Sequence, residues 1–171
     1  MTRYLYNLIF YLALPFIVLK LKRRSRKNPD YALRWRERFG YYPGAAQDQK
    51  GILWFHAVSV GEVHAAVPLV RELMQTRPRS RIILTTMTPT GSARVRAIFG
   101  KDVEHVYMPY DFPGGIKRFL QHFKPAALVI METELWPNLL FYSEQQRIPV
   151  MLANARLSNR SHCGCAWRSP S

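Results

Sequence analysis

Residues 52–91 read ILWFHAVSVGEVHAAVPLVRELMQTRPRSRIILTTMTPTG. The apolar run Ile52–Val58 ends in the polar SVGE. A helical pattern follows to Met74, and a second apolar run, Arg81–Met87, ends in TPTG. Runs with so few polar positions predict strands buried on both faces. Buried strands separated by a helix predict a parallel pair joined by a crossover. The unit recurs downstream. Val103–Met108 precedes PYDFPGG and the helical IKRFLQHF. Ala126–Met131 precedes ETELWPN and the helical LLFYSEQQ, and Pro149–Ala153 is a fifth strand. The expected class is α/β, a parallel sheet covered on both faces, without internal repeats.

The unusual polar residues fall just after these strands. Ser59, Gly61 and Glu62 follow the first, and Thr86, Thr88, Thr90 and Gly91 the second. Tyr110 and Asp111 follow the third, Glu132, Glu134, Trp136 and Asn138 the fourth, and Asn154 and Arg156 the fifth. In an open parallel sheet the carboxyl edge is where ligands bind. Gly61 suits a sharp turn or a ligand close to the backbone. Glu62 falls in a first helical turn, where it either complements the helix dipole or serves as a general base. Glu132 follows an almost wholly apolar strand, which predicts partial desolvation; its other use is capping or pairing with Arg156. The threonines suit either a polyhydroxylated ligand or helix capping.

Several chemistries lack their motifs. No G-x-G-x-x-G follows the first strand, and neither G-x-x-x-x-G-K-[ST] nor G-x-S-x-G occurs. His162-Cys163-Gly164-Cys165 resembles half a metal site, but no partner pair exists for the four ligands a metal needs, so no metal is expected.

Upstream of the sheet the chain changes character. The net charge is +14 over 171 residues, but residues 1–50 hold 11 basic and 3 acidic side chains against 11 and 8 in residues 51–155. Tyr4–Leu19 is uncharged and, as a helix, about 24 Å long. Six cations follow between Lys20 and Lys27. A secretory signal carries its cations first, so this order predicts a membrane anchor with the following chain on the cytoplasmic side. A core helix and a nucleic-acid arm compete with that reading; the aromatic apolar run has no use in a nucleic-acid arm, and no nucleic acid is expected. YALRWRERF (31–39) predicts a short amphipathic helix, and Gly40–Gln49 a linker. A hydrophobic content of 48% excludes wholesale disorder. Cysteines at only 163 and 165 offer no disulfide framework.

H-A-V-S-V-G-E (56–62), T-T-M-T-P-T-G (85–91), H-V-Y-M-P-Y-D (105–111), M-E-T-E-L-W-P-N (131–138) and A-N-A-R-L-S-N-R-S (153–161) closely resemble the Kdo transferases. These bacterial enzymes add 3-deoxy-D-manno-octulosonic acid to the lipid A precursor at the inner membrane. The resemblance implies a GT-B glycosyltransferase of two Rossmann-like domains. The first binds the lipid acceptor and the second binds CMP-Kdo, with inverting transfer and no metal or cofactor. It implies Glu62 as proton acceptor and Glu132 as transition-state stabiliser. The other edge residues named above are implied to contact the acceptor.

The expected organisation is an anchor helix over 1–22, a basic amphipathic segment and linker over 23–50, an incomplete acceptor-binding domain over 51–161 and a divergent tail over 162–171. No nucleotide-sugar domain follows, so a frameshift or premature stop and an inactive chain are expected. The alternatives are a non-catalytic acceptor-binding module or half of a split enzyme.

Overall fold

The computed structural model describes residues 2–44, 51–132 and 135–154. Glu134, Arg156 and the stretch 162–171 lie outside the described residues. The five expected strands are β1 (Leu53–His56), β2 (Ile82–Thr86), β3 (Glu104–Tyr107), β4 (Ala127–Met131) and β5 (Val150–Ala153). All pair in parallel, in the order β3-β2-β1-β4-β5. The chain therefore steps outward one way from β1 and then the other way through β4. Their carboxyl ends share one edge, as expected.

An N-terminal helix, α1 (Thr2–Lys27), precedes the sheet. The crossover helices are α2 (Val60–Thr76), α3 (Pro89–Phe99), α4 (Pro113–Phe123) and α5 (Pro137–Gln145). Three of them start on proline, whose fixed φ and missing N–H suit the first helical position. Successive strand residues face opposite ways. Trp54, Ile83 and Leu128 meet Phe119 and Leu139 on one side. Phe55, Leu84 and Val129 meet Val63, Val70 and Val95 on the other. On β5, Val150, Met151 and Leu152 are exposed, with that edge unpaired among the described residues.

The expected boundary at residue 22 falls inside α1, and that at residue 50 lies outside the described residues. α1 continues through the basic run to Lys27, which makes it about 39 Å long. It is no core helix, since Tyr4, Leu12 and Phe16 are 74%, 66% and 72% exposed. Nor does it stand apart. Tyr6 Oη donates to Asp111 Oδ2 (3.0 Å), and Asn138 Nδ2 donates to Asn7 Oδ1 (2.7 Å). Arg3 lies over the Phe141 ring at 3.2 Å, and Phe10 stacks on Phe112. Leu21, two turns from the basic end, is buried.

The amphipathic helix expected over 31–39 is replaced by two 3₁₀ turns, Pro29–Tyr31 and Trp35–Phe39. Arg34 between them has φ 55°. Its guanidinium bridges Glu37 (2.7 and 2.8 Å) and the His105 carbonyl (2.7 Å), while Glu37 accepts from Tyr107 N (2.8 Å). These contacts to β3 outweigh local helix propensity. Gly40 closes the second turn at φ 82°, where an added Cβ would lie 2.5 Å from the Gly115 carbonyl. Tyr42 then donates to Tyr107 O and packs on Phe119 and Phe123. The start of the expected linker thus belongs to the domain.

Candidate active site at the carboxyl edge

The strand order reverses between β1 and β4, and the crevice outside such a reversal is the favoured ligand position in an open α/β sheet. Glu62, in the first turn of α2, follows β1 and Glu132 follows β4, so the two acids expected to act flank the crevice. The rings of His56 and Trp136 meet across it at 5.0 Å.

Ser59 caps α2, its Oγ accepting from Glu62 N (3.3 Å). The Glu62 carboxylate reaches back to accept from Val58 N (2.8 Å) and Ser59 N (3.1 Å). This is a capping box, and it leaves Glu62 only 5% exposed. The dipole-complementing use of Glu62 is therefore realised, and both of its partners belong to its own loop. A Cβ on Gly61 would meet only Ser59 Oγ at 3.8 Å, and its φ is not left-handed. The turn does not need glycine there, so what glycine provides is an open backbone surface.

Of the three threonines, Thr88 is the one that caps a helix. Thr88 Oγ1 accepts from Gly91 N (3.1 Å) and from Thr90 Oγ1 (3.2 Å) at the start of α3. Thr86 is buried, with its hydroxyl 2.9 Å from His105 Nε2. A Cβ on Gly91 would lie 3.0 Å from Thr86 Cβ, so this glycine lets α3 approach β2.

Asp111 and Asn138 are brought together for a different task. Asp111 accepts from Asn138 N (3.0 Å), Leu139 N (2.9 Å) and Tyr6 Oη, and Asn138 donates to the Asp111 carbonyl (2.8 Å) and to Asn7. Together they cap α5 and hold α1. Burial raises the Asp111 carboxyl above its ordinary range, and these hydrogen bonds pull it back. Tyr110 is half-buried beside α1, and its phenol is raised chiefly by burial, opposed by Arg38 and Arg24. Glu132 sits half-buried at φ 61° with its N–H donating to Ala153 O (2.8 Å); Asn154 is exposed at φ 57°.

Two buried histidines lie on the strands, His56 at the end of β1 and His105 within β3. His56 Nδ1 lies 2.9 Å from Thr85 Oγ1. That hydroxyl also accepts from Trp54 Nε1 and donates to Phe55 O. With its own hydrogen used, the hydroxyl accepts from His56, so Nδ1 carries the proton and Nε2 is a bare lone pair. Nε2 has no partner and burial lowers the His56 pKa to about 4. His105, among Thr86, Ser92 and Arg34, is lowered to about 3, first by burial and then by Arg34. His56 stands inside a quoted motif, yet nothing in its spacing distinguishes it; only the absence of a partner on Nε2 does.

With the two acids flanking a switch-point crevice, comparison with known proteins becomes decisive. A sequence profile for the 3-deoxy-D-manno-octulosonic-acid transferases (Kdo transferases) matches residues 33–170. The chain belongs to this family. The match takes in most of residues 162–171, expected to be a divergent tail. A 3-deoxy-D-manno-octulosonic acid transferase of Haemophilus influenzae is 45% identical over 161 residues, covering 94% of this chain and 38% of that protein. One from Bordetella pertussis is 36% identical over 174 residues, covering 98% and 40%. The chain thus spans about two-fifths of the length of these curated relatives. Family membership explains why the five edge motifs occur together and in order on a parallel sheet, which the fold alone does not require.

Proposed function

We propose that this chain forms the acceptor-binding half of a Kdo transferase. The reaction is transfer of Kdo from CMP-Kdo to the lipid A precursor, lipid IVA, in lipopolysaccharide core biosynthesis. The observation that carries it is Glu62 at the switch-point crevice, its carboxylate held by two N–H groups of its own loop in a chain of this family. An acceptor hydroxyl attacks the anomeric carbon of Kdo. The new C–O bond forms as the bond to the CMP phosphate breaks, and the electron pair leaves with CMP. A single displacement inverts the centre. The hydroxyl proton passes to Glu62, which exchanges its backbone donors for the substrate. Glu132, across the crevice, stabilises the transition state. No metal enters this scheme.

α1 is the membrane element in this reading. It is long and apolar enough to cross a membrane by length and composition. Its contacts with the domain run from Arg3 to Arg24, while Leu5, Leu8, Ile9, Leu12 and Phe16 face outward. A helix bound along its length to a polar domain lies in the plane of one leaflet, its outer face in lipid. The basic end favours the anionic cytoplasmic face of the inner membrane. Lipid-depth quenching of probes at Leu5 and Leu19 should give equal depths; depths a bilayer apart would establish a span.

The transfer reading is tested by a chimera in which this chain replaces the matching segment of the Haemophilus influenzae relative, assayed with CMP-Kdo and lipid IVA. The chimera should transfer Kdo. Glu62→Ala should cut turnover by at least about a hundredfold while acceptor binding survives. Lost acceptor binding would make Glu62 a ligand contact. An inactive chimera that still binds acceptor would favour a non-catalytic binding module.

A further inference from the structure

We propose that the cavity between α1 and the sheet edge is a phosphate subsite, with Lys20, Arg24 and Arg38 as its cationic wall. The cavity holds about 290 Å³ beneath the basic half of α1, and none of the residues lining it carries a carboxylate.

Arg38 is the main observation. It is 2% exposed; its Nη1 donates to the Met87 carbonyl at 2.9 Å, and the Tyr110 phenol lies beside its guanidinium. Nε and Nη2 are buried without partners. A buried cation with unmade hydrogen bonds is costly. The Tyr107 ring at 4.3 Å recovers part of that cost. The neighbouring Glu37 does not neutralise it, being occupied by Arg34 and Tyr107 N. Arg24 approaches the same place from α1: its guanidinium lies 5.8 Å from the Tyr31 ring, and that of Arg38 lies 6.0 Å from it. Lys20 lines the same cavity, and Thr88 brings the N-terminal end of α3 to it.

Three positive charges without a counter-charge call for an anion carrying more than one charge, and an arginine fork suits phosphate oxygens. Phe10, Ile17 and Leu21 supply an apolar wall for the carbon skeleton of an ester. A chain of hydrogen bonds links the cavity wall to the crevice. Arg38 holds Met87 O, Met87 N donates to Val58 O (3.5 Å), and Val58 N holds Glu62. That the phosphate belongs to the sugar acceptor rests on the function proposed above; that the cavity binds phosphate does not.

The test is calorimetric titration of the 171-residue chain in dodecyl maltoside with dihexanoyl phosphatidic acid, dihexanoyl phosphatidylcholine and inorganic phosphate. Phosphatidic acid should saturate one site and phosphatidylcholine should not. Saturation by phosphatidic acid alone assigns the site to a phosphorylated lipid; equal saturation by inorganic phosphate assigns it to the free anion. Arg38→Ala removes a buried side chain and endangers the fold, so exposed residues of α1 carry the comparison. Lys20→Ala/Arg24→Ala should weaken binding at least about tenfold. Arg23→Ala/Lys27→Ala removes equal charge outside the cavity and should change it less than about twofold. Equal losses in the two double variants, or no saturable binding, would overturn the subsite. No transfer is measured, so either result leaves the role of Glu62 to its own experiment.

Discussion

Glu62 and Asp111 are two buried carboxylates on one edge of one sheet, and they differ in where their partners come from. The donors to Glu62 lie within four residues of it. Those to Asp111 come from α5, 27 and 28 residues onward, and from α1, 105 residues back. Glu62 can exchange its partners for a substrate by moving one loop. Asp111 can do so only by releasing two helices. A carboxylate at a ligand-binding edge is free to act when its structural partners are local.

That contrast can be broken most readily at Asp111. Asp111→Ala strands three donors from three residues and should cost about 3 kcal/mol, read as a lower urea midpoint in detergent. Faster trypsin cleavage in the basic run Lys20–Lys27 should accompany it as α1 loosens. A cost below about 1 kcal/mol would show that α1 and α5 are held by other contacts.

Acid sharpens the comparison, because the strand leading to each loop contains a buried histidine. The folded pKa values of His56 (about 4) and His105 (about 3) lie below the ordinary 6.5. The unfolded chain therefore takes up protons first. The stability these histidines contribute is present above about pH 6.5 and falls as pH drops toward 4. Asp111 has the opposite sign: its folded carboxyl is raised, so acid relieves the burial of its charge. His105→Gln should flatten the fall in unfolding free energy between pH 6 and 4 by up to about 1.4 kcal/mol per pH unit. Asp111→Asn should steepen that fall instead, because it removes a carboxyl whose protonation favours the folded state. An unchanged slope in His105→Gln would place the acid sensitivity elsewhere.

The smallest expected effect belongs to Glu62. Removing one half of a capping box should cost about 1 kcal/mol of stability, far less than its cost to transfer in the chimera. A loss as large as that of Asp111→Ala would make Glu62 chiefly a structural residue.

Much of this was legible beforehand, for reasons visible in particular residues. The helices announce themselves by periodicity and Glu62 by its place in a first turn, whereas Pro89, Pro113 and Pro137, read with the connections, open α3, α4 and α5. The runs 82–86 and 127–131 announce buried strands, because both faces must be apolar. The 3₁₀ turns did not announce themselves. YALRWRERF has helical spacing, but Arg34 and Glu37 are claimed by β3, some 70 residues away. Asn7, a polar position within the apolar run, accepts a hydrogen bond from Asn138, 131 residues distant.

By itself the sequence determined five strands with crossover helices, the polar sets at their carboxyl ends and a charge excess at the N-terminus. All of these depend on residues close in the chain. Only the tertiary structure decided that β1 and β4 bracket a crevice and that α1 is clamped along the domain. The burial of Arg38 with two unmade hydrogen bonds was also decided there. Each of these depends on which distant backbone and side-chain groups meet, and hydrophobic periodicity, which records neighbours a few residues apart, carries no account of such meetings.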